Sequence, residues 1–404
     1  MQTVPTAHPP FAAGWPSTRL GHGRALWLKA SLLVSFLAAS TAPSPLYALY
    51  REAWGFSALT LTVVFSSYSF ALLSALLVFG SLSDHRGRRE VILGALVLEF
   101  AATMLFWRAD SVAWLLSARV LQGVATGIAT GALSAGLLDL HRERGPLVNG
   151  VAPMVGMAAG AFGTSVLAQF APSPTRLVFD LLMLVFALQM LAALYLPETV
   201  VRRPGAWRSL RPSIAIPPRA RPMLWQVLPV NTAQWALGGF YLSLGPTLAR
   251  VVTGNDAPLV GGSLIGVMVL GSAAAILAVR QWPPRRALAV GAAALTLGLV
   301  TSLAGIALHS TGAFFIGAAV AGLGFGSAFN GSLRSLVSLA APHERAALMA
   351  GFYVLSYLAF SVPAIAAGLS TGFFGLPATA MGLGALLTLM ALTALLMMIG
   401  RRTD

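Results

Sequence analysis

The sequence predicts an all-α membrane protein in which twelve transmembrane helices form two pseudo-symmetric six-helix bundles. Three observations carry that prediction. The 404 residues are 57% hydrophobic and only 9% charged, against about 25% charged in an ordinary soluble domain. Apolar residues gather into runs that match the roughly 20-residue helix needed to cross a bilayer core about 30 Å thick. Cations fall on alternate connections between those runs.

Twelve runs qualify as spans, numbered in chain order: residues 27–50, 58–82, 91–107, 111–138, 147–170, 177–196, 223–249, 258–279, 287–308, 312–340, 346–370 and 374–399. Lipid offers no hydrogen-bond partners, so each run must satisfy its own backbone as a helix. The weak alternation of a membrane β-barrel is not seen. The first run is too long for a signal peptide. Residues 1–26, with Pro5, Pro9, Pro10, Arg19 and Arg24, read as a cytoplasmic arm, and 400–404 as a cytoplasmic tail.

Orientation follows from charge. Of the 26 Lys and Arg residues, 20 fall on one set of ends and loops, Lys29 among them, whereas the opposite loops carry only Arg51, Arg108, Arg176 and Arg250. The cation-rich side is expected to be cytoplasmic, with both termini inside and the protein multi-pass in a plasma (bacterial inner) membrane. The net charge of +14 thus belongs to membrane topology and not to nucleic-acid binding. Residues 198–222 hold six arginines and several prolines, which disfavour regular helix and suit an anionic lipid surface. This cytoplasmic linker is expected to join a bundle over 27–197 to one over 223–399.

An internal repeat supports the division. Gly123, Gly127, Glu143, Arg144, Leu147 and Gly150 recur as Gly322, Gly326, Glu344, Arg345, Leu348 and Gly351, offset by 199 and then 201 residues. Parallel six-helix repeats related by an axis along the membrane normal produce such a pattern.

Catalysis finds no support. Cysteine is absent and the six histidines show no paired ligand spacing, so no metal and no cofactor are expected. No nucleophile–base spacing and no Gly-rich Lys-Ser/Thr loop for a nucleotide occur. The chain is expected not to be an enzyme.

The hairpin between spans 2 and 3, Gly80-Ser-Leu-Ser-Asp-His-Arg-Gly-Arg-Arg89, places Gly80, Asp84, Arg86, Gly87, Arg88 and Arg89 at a spacing that resembles the loop 2–3 signature of the major facilitator superfamily. Arg119 followed by Gln122-Gly123 resembles its span-4 motif, whose arginine is associated with proton coupling. Gly150, Pro153, Gly156, Gly160 and Gly163 loosely resemble its Gly-Pro-rich span-5 antiporter motif, and Pro197-Glu198-Thr199 the sequence that closes its sixth span. The resemblance implies a monomeric secondary transporter of the drug/proton antiporter type, exporting small amphipathic molecules by alternating access. An organic-anion or sugar-type carrier is the alternative. It also implies that the hairpin latches the two halves in the outward-open state; a purely topogenic basic loop is the other reading. The implied partners are a small-molecule substrate, protons and the lipid bilayer.

Within the spans, Glu99 is the sole deeply placed acid, roughly 12 Å along span 3 at 1.5 Å per residue. Arg119 lies at a comparable depth from the opposite face, so the two heights differ by only about 6 Å and an ion pair is expected. Glu99 is then either a proton carrier or half of a structural pair. Arg119 either faces that partner or snorkels to the interface. Gly123, Gly127 and Gly131, every fourth residue, permit close helix approach. Asn231, Gln234 and Trp235 share one face of span 7, with Asn330 at similar depth in span 10. Tyr68, Tyr353 and Tyr357 add aromatic walls. Each of these seven is a substrate-cavity candidate or an interhelical hydrogen-bonding group. Pro43 and Pro45 either bend span 1 or end it.

Overall fold

The computed structural model describes residues 19–341 and 343–400. Residues 1–18, most of the expected arm, and 401–404, with Arg401 and Arg402 of the expected tail, lie outside the described residues. Among the described residues all regular structure is helical. The spans are His22–Thr41 with Pro43–Trp54, Ala58–Phe79, Arg88–Trp107, Val112–Leu140, Arg144–Phe170, Leu177–Ala193, Arg221–Ser243 with Gly245–Thr253, Pro258–Val279, Pro284–Ala307, Thr311–Val337, Arg345–Phe374 and Leu376–Gly400.

Several expected boundaries move. Span 1 begins at His22, five residues inside the expected arm, and runs to Trp54. Span 12 includes residue 400. The hairpin expected as a plain loop contains a one-turn helix, Leu82–Arg86, and the linker holds two short turns, Ala206–Ser209 and Pro218–Ala220. Among the described residues, ten helices are both long and apolar enough to cross a membrane. Span 6 falls short at 17 residues, about 25 Å. Span 7 falls short in hydropathy, because Gln226, Asn231 and Gln234 lie in a helix most of whose residues are buried among other helices.

Local chemistry explains the ends. Ser57 and Ser310 accept the backbone N–H of Thr60 and Ala313 as N-caps, satisfying donors a helix start leaves orphaned. Spans 1 and 7 are interrupted alike, before Pro43 and before Gly245-Pro246, and both close on left-handed glycines, Gly55 (φ 68°) and Gly254 (φ 63°). Gly55 and Gly254, like Arg51 and Arg250, are 199 residues apart, the offset of the repeat. The span-4 glycines also recur as packing points. Added Cβ atoms at Gly123 and Gly127 would strike the Tyr68 and Leu72 carbonyls of span 2, and at Gly322 and Gly326 the Met268 and Ser272 carbonyls of span 8. Span 4 therefore sits on span 2 as span 10 sits on span 8. In span 5, Gly156 and Gly160 meet the Val34 and Ala38 carbonyls of span 1, Gly150 faces Ile276 of span 8, and Pro153 lies inside the helix.

We term the end carrying the 194–220 connection the linker end, and the opposite one the far end. The sequence-distant spans 2 and 11, and 5 and 8, pack together. At the far end, Arg250 of span 7 pairs with Glu52 of span 1 at 2.9 Å, Gly368 abuts Thr62, and Gly262 abuts Ser165. Further inward, Ser66 donates to the Ser361 carbonyl and the Phe65 and Phe360 rings lie 5.3 Å apart. Among the described residues, no hydrogen bond or ion pair joins span 4 to span 10. The far end is the closed one.

Candidate functional site

The site begins at a proline. Pro43 has no N–H, so the carbonyl of Ala39, four residues earlier, loses its helical partner. Gln122 of span 4 supplies the replacement, its Nε2 donating to that carbonyl at 3.0 Å. One residue on, the Ser40 carbonyl accepts from Nη1 of Arg119 at 2.7 Å. The Arg119 Nε donates to the Tyr47 hydroxyl, which the bent continuation of span 1 brings into reach. The prolines therefore mark a bend in span 1 and not its end.

Arg119, Gln122 and Thr126 share one face of span 4 and meet Glu99 of span 3. Gln122 Nε2 also donates to Glu99 Oε1 at 3.1 Å, and Thr126 Oγ1 lies 3.4 Å from Glu99 Oε2. Gln122 Oε1 accepts from Arg119 Nη1 at 2.8 Å. The expected Glu99–Arg119 ion pair is not formed: Gln122, one turn beyond the arginine, spans the gap and relays between acid and cation. Nor does Arg119 snorkel, since both Arg119 and Glu99 are fully buried. Four rings surround the guanidinium, Tyr47, Phe65, Tyr68 and Phe106, with centroids 5.3–5.9 Å from Cζ. Aromatic faces favour a cation at this range. Among the described residues its Nη2 has no hydrogen-bond partner.

On the other half, Trp235 is the centre of an aromatic cluster. Its ring lies 5.1–6.1 Å from those of Phe325 and Phe329 of span 10 and Tyr357 and Phe360 of span 11. Tyr353 stands 6.3 Å from Tyr357. Through Phe360 and Phe65 this cluster meets the rings around Arg119. Among the described residues, Trp235 Nε1 and Gln234 Oε1 are buried without partners. Asn231 is committed to helix contact: it donates to Ser356 Oγ at 2.9 Å and accepts from Gln234 at 3.2 Å. Asn330 does not join this group. Its Oδ1 accepts from Arg334 Nη1, which also bonds the Arg280 and Trp282 carbonyls at the linker end.

The hairpin residues form a second network. Arg88 pairs with Asp84 at 2.5 Å and with Asp139 at 3.2 Å, and donates to Ser83 Oγ at 2.6 Å. Glu198 accepts the backbone N–H of Arg88 (2.8 Å) and of Arg89 (3.1 Å), a carboxylate set on the positive end of span 3. Gly87 has φ 105°, and a Cβ there would strike that carboxylate, so glycine is required twice over. Thr199 Oγ1 donates to Asp139. Lys29, counted among the cations of the cytoplasmic side, is fully buried and donates to the Gly136 carbonyl at 3.2 Å; the missing side chain of Gly136 makes room for the ammonium. The linker is fixed at its other end too. Arg219 pairs with Glu344, whose carboxyl the Ala341 N–H and then Arg219 hold below the usual carboxylate range.

Sequence reasoning missed Tyr47, Ser40, Thr126, Asp139 and the phenylalanines of the cluster. Thr126 was detectable as the residue two turns beyond Arg119, and Pro43 announced a freed carbonyl. The phenylalanines carry no signal that separates them from ordinary apolar span residues.

A Major Facilitator Superfamily model matches residues 29–362. The chain belongs to the major facilitator superfamily, and is a multi-pass membrane transporter of that family. Multidrug resistance protein MdtL from Salmonella schwarzengrund (strain CVM19633) is 34% identical over 116 residues, 27% of this chain and 29% of the relative. MdtL from Salmonella typhi is 30% identical over 115 residues. The chain thus matches under a third of the length of these curated relatives. Among solved structures, a mutant of the nucleoside transporter NupG superposes with a TM-score of 0.73 at 12% identity, covering 92% of this chain and 99% of that one. A bacterial homologue of the human lysosomal transporter Spinster, inward-facing and unoccupied, gives 0.67 at 14% identity, covering 96% and 98%. Both likenesses bear on the fold alone.

Proposed function

We propose that the chain is a proton-coupled exporter of small amphipathic molecules that works by alternating access. The carrying observation is the buried relay Glu99–Gln122–Arg119, set beside an aromatic cluster to which both halves contribute. A proton arriving on Glu99 Oε2 can be donated to Thr126 Oγ1, because a hydroxyl serves as donor or acceptor. A neutral acid then holds Gln122 less strongly, which loosens the amide from Arg119 and from the bend of span 1. Trp235 Nε1, Gln234 Oε1 and the rings of Tyr68, Tyr353 and Tyr357 are the groups proposed to receive substrate, a few polar atoms among apolar rings. The similarity to proteins named for multidrug resistance supports export. Efflux of a fluorescent amphipathic dye from cells lacking their own exporters, abolished by an uncoupler, is the expected result; dye-independent cells would remove the reading.

In this reading residues 27–197 and 223–399 rock as two monomeric halves joined by 198–222, in a bacterial inner membrane with the linker end and both termini cytoplasmic. The closed far end then corresponds to an inward-facing state. Glu52→Gln is expected to weaken that closure by about 0.2–1 kcal/mol, the range for an exposed ion pair. Spin-label distances across spans 1 and 7 should lengthen in a larger fraction of molecules.

Among the described residues the hairpin network here engages only the first half and the linker, so the proposed latch would form when the linker end closes. Asp84 is about half exposed and Arg88 keeps Asp139 as a partner. Asp84→Asn is therefore expected to leave insertion and folding intact and to slow cycling; unchanged turnover in vesicles would remove the latch.

One observation favours a second reading, an organic-anion or sugar-type carrier. The unpartnered Nη2 of Arg119 could receive a substrate carboxylate. Arg334, already bonded to loop 8–9, is not available for that role. Saturable anion transport indifferent to a pH gradient would select this reading over the first.

A further inference from the structure

Away from the central site, a groove of about 540 Å³ runs along the outer face of the first half, starting at the linker end. Its inner part is apolar, formed by Phe79 of span 2, Ala95 and Leu98 of span 3 and Ile128 of span 4. Gly94 lies along it, and no atom stands within 4 Å of where its Cβ would be. From Glu90 to Leu98 the groove follows nine helical residues, a rise of about 12 Å. It therefore passes from the level of the lipid headgroups into that of the acyl chains.

The mouth has different chemistry. Arg86, Glu90 and Trp207 line it. Glu90 is neutralised by Arg202, whereas Arg86 is exposed and has no hydrogen bond or ion pair among the described residues. The mouth thus carries one uncompensated positive charge, with Arg208 and Arg211 exposed on the same segment. Trp207 is 80% exposed, an amphipathic ring of the kind that favours the headgroup region. The short helix that carries it is tied to the hairpin by Ser81 Oγ to the Ser209 carbonyl (3.0 Å) and by the Arg203 N–H to the His85 carbonyl (3.2 Å).

We propose that this groove binds one anionic phospholipid, with the phosphate on Arg86 against Trp207 and one acyl chain in the trench past Gly94. A zwitterionic headgroup brings its own cation and gains less from a lone arginine; a net-negative headgroup matches it. The bound lipid would brace the linker against spans 2, 3 and 4. This assignment is independent of what the central site carries.

Native mass spectrometry of the purified full-length chain tests it, using phosphatidylglycerol and phosphatidylcholine with identical oleoyl chains. Wild type should retain phosphatidylglycerol about fivefold better, the effect of roughly one arginine near an anionic surface. R86Q should equalise the two lipids, and Gly94→Leu should lower retention of both. R108Q, an exposed arginine at the far end, should leave the preference intact. Equal retention of both lipids by wild type overturns the proposal, as does a preference that survives R86Q or is lost equally in R108Q. Undiminished retention in the Gly94→Leu variant removes the trench.

Discussion

Glu99→Gln is expected to reduce pH-gradient-driven flux to the level of protein-free vesicles while the protein still folds. The amide is close to isosteric and keeps one oxygen to accept from Gln122 Nε2. A side-chain hydrogen bond between membrane helices contributes about 0.6 kcal/mol, so losing one interaction leaves the bundle standing. What the amide cannot do is bind and release a proton, and Glu99 is the only carboxylate buried within the described spans. Proton flux measured with an internal pH dye, alongside dye efflux in the same vesicles, separates two outcomes. Loss of both supports coupling through the relay. Retained coupling would move the proton site elsewhere and leave Glu99 as a structural acceptor. Gln122→Leu provides a companion test: it keeps the acid and removes the relay, and leaves the Ala39 carbonyl, Arg119 Nη1 and Glu99 each one bond short.

The second large effect is on folding. Gly123→Leu should prevent assembly, because its Cβ would land on the Tyr68 carbonyl with Ala71 and Leu72 directly behind it. Backbone atoms of a packed helix cannot swing aside as a flexible side chain can, and overpacking of this kind costs about 1–3 kcal/mol or more. Separating spans 2 and 4 would also pull Tyr68 away from Arg119. Gly163→Leu is the control, since nothing lies within 4 Å of its Cβ position. Size-exclusion profiles of the two variants in mild detergent should differ sharply; a monodisperse Gly123→Leu peak would show that span 4 can shift on span 2 without loss of the fold.

Much of the architecture was legible in the chain. Span 8 was placed to the residue, and most other boundaries within a turn, because apolar length is a strong constraint when lipid supplies no hydrogen bonds. The misses have local causes. Span 1 continues to Trp54 because Pro43 opens a second helical segment and Gln122 supplies the bond that the missing N–H denies the Ala39 carbonyl. Span 7 is less apolar than a crossing helix should be because its polar face is turned into the protein. The candidate site was half legible. Glu99 and Arg119 stand out because charges are rare in such spans, and their depths agreed. That a glutamine would relay between them depends on how spans 3 and 4 lean, which no spacing along one helix encodes.

The amino-acid order by itself determined that the chain crosses a membrane, where most crossings lie and that the chain repeats after 199 residues, since hydropathy, charge and glycine spacing are properties of local segments. Only the tertiary structure decided which groups meet. It enclosed Lys29 against Gly136, tied Arg119 to the bend of span 1, moved Asn330 out of the aromatic cluster to Arg334, and closed the far end through Glu52 and Arg250. Apart from Asn330 and Arg334, one turn apart on span 10, those pairings join residues tens to hundreds of positions apart, and their geometry is fixed by how whole helices lie against one another.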